Sequence, residues 1–208
     1  MNFDIERVIN ALRKQREVFT SEADFQLEMG WKIKELYPEA VVRMEYCPEF
    51  DANMHIDIMV FMGGKQIPIE LKYKTKKCEL ISNGESYRLK NHSAKNQTCY
   101  RYLKDIQRIE TVKKSSDRFE KGYTVFLTND KSYIGKCSPN CGYHEFSLGD
   151  GEEKHGLMQW SSTMSEGTKK GCEDSILLEG VYPIRWKPYS RIKDENIGTF
   201  YILFNEIK

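Results

Sequence analysis

The segment that most limits how this chain can fold is residues 67–74, where apolar and polar residues alternate. Successive side chains on a β-strand point to opposite faces, so this alternation predicts a strand with two different faces. The apolar face carries Ile67, Ile69, Leu71 and Tyr73, and the polar face carries Pro68, Glu70, Lys72 and Lys74. A carboxylate and an ammonium two positions apart on the polar face mark either a solvated surface or a chemical site.

A hairpin is predicted to join this strand to the strand-like run before it, because Gly63-Gly64 separates the two. A two-residue turn pairs residue 62 with residue 65, and this register sets Asp57 opposite Glu70. Facing side chains of antiparallel strands have Cβ atoms about 5 Å apart. Two carboxylates at that distance repel each other unless a cation lies between them, and Mg²⁺ prefers such oxygen ligands. Lys72 would stand beside this ion, able to hold an attacking water or a phosphate oxygen.

Composition indicates one folded domain. The chain has 208 residues, 39% of them hydrophobic, which is enough for a sizeable core. The formal net charge is +1, so any basic surface for a polyanionic partner must be local. The residue patterns predict helices over 3–17, 21–38 and 96–114, strands over 41–47, 55–62, 66–73, 122–130, 176–186 and 199–207, a loop over 74–97 and irregular structure over 131–174.

This arrangement resembles the PD-(D/E)xK nuclease superfamily, which has the restriction-endonuclease-like fold. Asp57 is followed thirteen positions later by Glu70-Leu71-Lys72, although Ile56 stands where the family carries a proline. The segments SEADFQ, ELKYKT, LKNHSAKN, YLKDIQRIE and GYTVFLTND are similar to those of an uncharacterised prokaryotic branch of the superfamily. The resemblance implies a single α/β domain over residues 1–208, with a mixed β-sheet flanked by helices. Its core would span about 20–130, and 131–208 would be an elaboration with extra C-terminal strands.

The resemblance implies a metal-dependent nuclease that hydrolyses phosphodiester bonds in nucleic acid, with DNA as the expected substrate. Asp57, Glu70 and the Leu71 backbone carbonyl would hold Mg²⁺ or Mn²⁺. Lys72 would orient the attacking water or help to deprotonate it. The alternative is a catalytically silent nucleic-acid-binding or regulatory module on the same scaffold. A homodimer would let so small an enzyme cut both strands of a duplex, whereas a nickase would not need one.

A glutamate from the first core helix is also typical of the superfamily, and Glu22 and Glu28 are the two candidates. Six residues rotate a helix by about 600°, so the two side chains point about 120° apart and cannot both face the site. Glu22 is favoured as a further catalytic and metal-binding residue, with Gln26 on the same helix face placed for contact with nucleic acid. Glu28 could as readily be a solvent residue beside Lys32.

Basic residues concentrate directly after the predicted strand. The candidates for contact with backbone phosphates are Lys74, Lys76, Lys77, Arg88 and Lys90. Their place next to the expected metal favours this role, because phosphate neutralisation supplies most nonspecific affinity for nucleic acid. A solvated lysine-rich loop is the alternative interpretation.

The cysteines predict a reducing, cytoplasmic setting, because most of the six lie far from one another in sequence. Cys137, Cys141 and His144 have a spacing that permits zinc, but reduced thiols in an insertion are the preferred interpretation. No apolar run approaches the roughly 20 residues of a membrane span, so no membrane partner is expected.

Overall fold

The computed structural model describes residues 2–193 and 196–208, in which strands and helices are interspersed along the chain. The helices are α1 (Ile5–Gln15), α2 (Glu22–Leu36), α3 (Lys95–Ser115) and α4 (Glu166–Lys169). The strands are β1 (Val41–Tyr46), β2 (Ile56–Met62), β3 (Lys65–Lys74), β4 (Cys78–Ser82), β5 (Glu85–Leu89), β6 (Gly122–Thr128), β7 (Glu153–Met158), β8 (Ile176–Pro183), β9 (Lys187–Arg191) and β10 (Thr199–Ile207). None of the helices in these ranges is long and apolar enough to cross a bilayer.

Six strands form one mixed sheet in the order β1-β2-β3-β6-β10-β9. The central pair β3–β6 is parallel, and the other neighbours in this sheet pair antiparallel. Apolar residues of α1 and α2 pack on one face of the sheet, and those of α3 pack on the other. The fold is therefore α/β, with a mixed sheet flanked by helices, as the sequence predicts.

Four strands lie where the residue patterns predict none. The expected loop at 74–97 contains the β4–β5 hairpin, whose Leu80 and Tyr87 join the core under α1 and α2. The expected irregular region at 131–174 contains β7, which pairs with β8 and packs its Met158 near α3. The short strand β9 completes the edge of the main sheet beside β10. The predictions for these segments are wrong because apolar residues are too sparse in them for the pattern to stand out.

The predicted alternation of β3 is confirmed, and it determines which helix faces the candidate site. Ile69 and Leu71 belong to the core under α1 and α2. Glu70 and Lys72 point to the opposite face, where they meet charged side chains of α3. The polar face of β3 is thus covered by a helix, and it is not a solvated surface.

Candidate functional site

The pairing of β2 with β3 has the predicted register but ends one position too early for the predicted contact. Met62 pairs with Lys65, and the last pair is Ile58 with Ile69. The register therefore agrees with the prediction and the two carboxyl groups are close enough to hydrogen-bond, but Asp57 and Glu70 do not form a ladder pair. The two strands separate at this point, which leaves backbone groups of β3 without partners from β2.

Two carboxylates occupy the edge of β3 that this separation frees. Asp57 Oδ2 accepts the Leu71 N–H at 2.6 Å, and Glu22 Oε2 accepts the Tyr73 N–H at 2.7 Å. N–H groups two residues apart on a strand point to the same edge, so the carboxylates follow one another along it. The N–H and C=O of one residue also share an edge, so the Leu71 carbonyl points towards Asp57 as well.

Glu70 is the most buried carboxylate of the site, with 1% of its surface exposed. Its Oε1 accepts no hydrogen bond from the described residues. Arg108 Nη1 of α3 lies 3.1 Å away, but the geometry of that ion pair falls short of a hydrogen bond. Burial, together with the charges of Asp105 and Asp57, raises the pKa of Glu70 well above its usual range. The positive charges of Arg108 and Lys72 oppose this shift but do not outweigh burial and the two neighbouring carboxylates.

Lys72 is held by a carboxylate that the sequence analysis does not identify. Its Nζ lies 2.5 Å from Asp105 Oδ2 of α3 and donates to the Leu71 carbonyl at 3.1 Å. Burial by itself lowers the pKa of Lys72, but the charges of Asp105 and Asp57 outweigh it and raise that pKa above its usual value. The side chain is consequently an ammonium at neutral pH and acts as a donor and a positive charge.

The pKa of Asp57 also lies above its usual value. Burial is the largest cause, and the Lys72 ammonium, the Leu71 amide and a hydrogen bond with Glu70 oppose it. The adjacent carboxylates Asp57 and Glu70 thus both favour protonation, as expected when two such groups share a buried site. A cation placed between them would relieve this unfavourable charge.

The donor atoms fit Mg²⁺ or Mn²⁺. Asp57, the unbonded Oε1 of Glu70 and the Leu71 carbonyl supply hard oxygens at one end of β3. In the part of the chain that the structure describes, no group of three or more His, Cys, Asp or Glu side chains converges as a metal cage. Mg²⁺ typically takes only one or two protein carboxylates and completes its shell with water and substrate phosphate, so two are sufficient.

Glu22 and Glu28 of α2 point in different directions, as the helix rotation predicts. Glu22 faces β3, where its Oε2 also lies 2.9 Å from Lys74 Nζ, whereas Glu28 pairs with Arg16 at 2.7 Å and points elsewhere. Glu28 is therefore partly buried in an ion pair with Arg16, and it is not the solvent residue considered from the sequence. Gln26 shares the face of Glu22, but its amide donates to the Asp57 carbonyl at 2.6 Å and to Glu45, so it holds the start of β2 in place.

The predicted phosphate-binding residues divide into two groups. Lys74 and Lys76 each lie within ion-pair distance of a carboxylate, Glu22 at 2.9 Å and Asp130 at 3.2 Å. Lys77, Arg88 and Lys90 are exposed on or beside the β4–β5 hairpin. The second group is therefore available to a partner, and the first is partly neutralised within the fold.

The prediction of reduced thiols in this insertion is wrong for Cys137 and Cys141. A disulfide joins Cys137 and Cys141, and Cys47, Cys99 and Cys172 are free thiols. The Nδ1 of His144 is buried and accepts no hydrogen bond within the described residues. Thiols joined in a disulfide are not zinc ligands, so the structure does not favour the zinc interpretation.

Comparison with known proteins adds no identification: no family model, no curated protein and no solved structure matches the chain.

Proposed function

We propose that this chain is a metal-dependent nuclease of the restriction-endonuclease-like fold, hydrolysing phosphodiester bonds in nucleic acid, with DNA as the substrate. The observation that carries the proposal is the environment of Glu70. It is a buried carboxylate with an unbonded oxygen, next to a second carboxylate and flanked by an ammonium. Burial of like charges is costly, and a site that binds a divalent cation accounts for it.

The order of elements supports the same proposal. A helix (α2), three antiparallel strands (β1, β2 and β3), a long helix (α3) and a strand parallel to β3 (β6) follow one another along the chain. This is the order that the resemblance implies for the core of the superfamily. The β4–β5 hairpin is an insertion between the third strand and α3.

In the proposed mechanism, each residue acts from the position in which the fold holds it. Asp57, Glu70 and the Leu71 carbonyl would hold Mg²⁺ or Mn²⁺, which when bound supplies Lewis-acid activation of a phosphate oxygen and of water. Lys72 remains an ammonium, so it holds the attacking water or a phosphate oxygen and offsets developing negative charge. Asp105 fixes the Lys72 ammonium in this position.

Glu22 and Lys74 form the outer part of the proposed site. Glu22 is committed to the Tyr73 amide and to Lys74, so it would reach the ion through water and not directly. Lys74 lies on the same strand face as Lys72 and would meet the phosphate backbone with part of its charge already offset by Glu22.

One observation favours a catalytically silent binding module on the same scaffold. Arg108 lies 3.1 Å from Glu70, and Lys72 lies 2.5 Å from Asp105, so the chain's own cations already accompany its buried carboxylates. In this second candidate function the ion pairs are structural, and the exposed residues Lys77, Arg88 and Lys90 bind nucleic acid without cleaving it.

A plasmid assay separates the two functions. Incubated with supercoiled DNA and Mg²⁺ or Mn²⁺, the wild type should produce nicked or linear product, whereas Asp57→Ala and Lys72→Ala should lose at least about two orders of magnitude in rate. Lys65→Ala, which changes an exposed lysine on the same strand, is the matched control and should cut normally. Binding of DNA by the wild type without metal-dependent cleavage would favour the silent module.

A further inference from the structure

The segment between β5 and α3 is tied to the end of β3 by three hydrogen bonds. The His92 N–H donates to the Thr75 carbonyl at 2.7 Å, and the Thr75 hydroxyl donates to the Lys90 carbonyl at 2.7 Å. The Thr75 N–H donates to His92 Nδ1 at 2.9 Å. The imidazole ring of His92 is consequently held in one position, although the residue lies in an irregular segment on the surface.

The Thr75 amide determines the ring's tautomer, because a backbone N–H can only donate; the Thr75 hydroxyl, 3.1 Å from the same Nδ1, donates to Lys90. Because Nδ1 accepts the Thr75 amide proton, a neutral His92 carries its own proton on Nε2. Burial and the nearby Lys74 ammonium lower the pKa of His92, with Glu22 and Lys90 also close enough to influence it. Nε2 donates to no group in the described part of the chain. A neutral N–H donor is therefore displayed at the surface.

This donor lies on the same edge of the extended segment as the candidate site. Leu71, Tyr73 and Thr75 are alternate residues of one extended segment. Their backbone amides donate to Asp57, Glu22 and His92 in turn. Alternate residues of a strand are about 6.6 Å apart, so the imidazole lies about 13 Å along the edge from the Asp57 contact. His92 is the third ionisable side chain in this row, and it is the one with a free donor.

We propose that His92 is a substrate-binding residue that donates its Nε2–H to a non-bridging oxygen of a backbone phosphate further along the strand than the one that is cleaved. The inference rests on the proposed nuclease function and extends it to a defined contact. Two geometric observations support it. Thr75 holds the imidazole ring in one position, and the side chains that accept alternate amides along this extended segment lead from His92 to the candidate metal ligands. A backbone phosphate is the expected acceptor, since most protein–DNA hydrogen bonds go to phosphate oxygens.

His92→Asn is the decisive variant, because asparagine Oδ1 can replace Nδ1 as the acceptor for the Thr75 amide while the distal donor disappears. We expect its melting temperature to match that of the wild type. Its dissociation constant for a short fluorescein-labelled DNA duplex, measured by anisotropy in EDTA, should rise about tenfold. The slope of log K against log salt should not change, because a neutral donor releases no counterion.

Two comparison variants make the readout specific. Lys90→Ala removes an exposed charge beside the same segment, so it should weaken binding and also reduce the salt slope by about one. His155→Asn replaces an exposed histidine that lies far along the chain on β7, and it should bind like the wild type. A loss of binding in His92→Asn that comes with a lowered melting temperature would mean that His92 is structural, and would overturn the proposal.

A scan of single methylphosphonates, each removing the charge and one oxygen of one phosphate, locates the contact. One position further along the strand from the cleaved bond should weaken wild-type binding, and the same substitution should have little further effect in His92→Asn. Additive effects at every position would contradict the contact. If the wild type cuts DNA and His92→Asn binds and cuts equally well, only this inference fails; if the wild type neither binds nor cuts, the nuclease function fails with it.

Discussion

At the scale of single residues, the site is defined by a carboxylate that the fold makes difficult to ionise. Glu70 is buried next to Asp57 and Asp105, and its pKa is raised by burial and by both neighbours. The alternation of β3 is sufficient to predict that Glu70 and Lys72 share a face. It does not predict that Asp105 and Arg108 contact them, because no local pattern indicates which turn of α3 lies over that face.

Glu70→Gln should stabilise the protein in EDTA, increasingly so as the pH rises. Above pH 4.5, the ordinary value for a glutamate, the unfolded wild type ionises Glu70 while the folded protein retains the proton. The folded state then binds more protons, so wild-type stability falls by up to about 1.4 kcal/mol per pH unit until the folded pKa is passed. A neutral glutamine avoids this loss.

Melting temperatures between about pH 5 and 8 provide the measurement. The curves of wild type and Glu70→Gln should diverge by several degrees towards the alkaline end. Glu28→Gln, at a glutamate that pairs with Arg16 away from the site, should show no such divergence. Parallel curves for wild type and Glu70→Gln would contradict the stated environment of Glu70.

At the scale of secondary-structure elements, the β4–β5 hairpin shows what the sequence analysis overlooked. Asn83 and Gly84 both have positive φ, at 50° and 80°, and join strands whose facing ends are Ser82 and Glu85. Asn-Gly between two short runs is a strong signal for a two-residue hairpin turn, and it was available in the sequence. The many lysines around this turn made the segment resemble a solvated loop. The edge strand β9 is similarly difficult to predict, because it contains Pro188 and its pairing with β10 is interrupted by a bulge.

The hairpin should contribute to the stability of the whole domain, although its surface is rich in charge. Leu80 is 3% exposed and belongs to the core under α1 and α2, whereas its neighbour Ile81 is 67% exposed. Leu80→Ala should therefore cost about 2–5 kcal/mol of unfolding free energy, and Ile81→Ala less than about 0.5 kcal/mol. Urea denaturation of the two variants measures both values. Equal, small losses would show that the hairpin is not part of the core.

At the scale of the whole molecule, four segments distant in sequence meet at one end of β3. They are α2 with Glu22, β2 with Asp57, the segment before α3 with His92, and α3 with Asp105. The β2–β3 hairpin is local, so its register could be predicted from the glycines between the strands. The other contacts depend on how helices pack across the sheet, and side-chain periodicity does not determine that packing.

The central claim is that Asp57 and Glu70 together bind one divalent cation, and calorimetric titration with Mn²⁺ tests it most directly. The wild type should take up one saturable Mn²⁺ per chain. Glu70→Gln, which is expected to fold, should bind it at least about tenfold more weakly, and Glu28→Gln should bind it normally. No saturable uptake by the wild type, or an equal affinity in wild type and Glu70→Gln, would contradict the account.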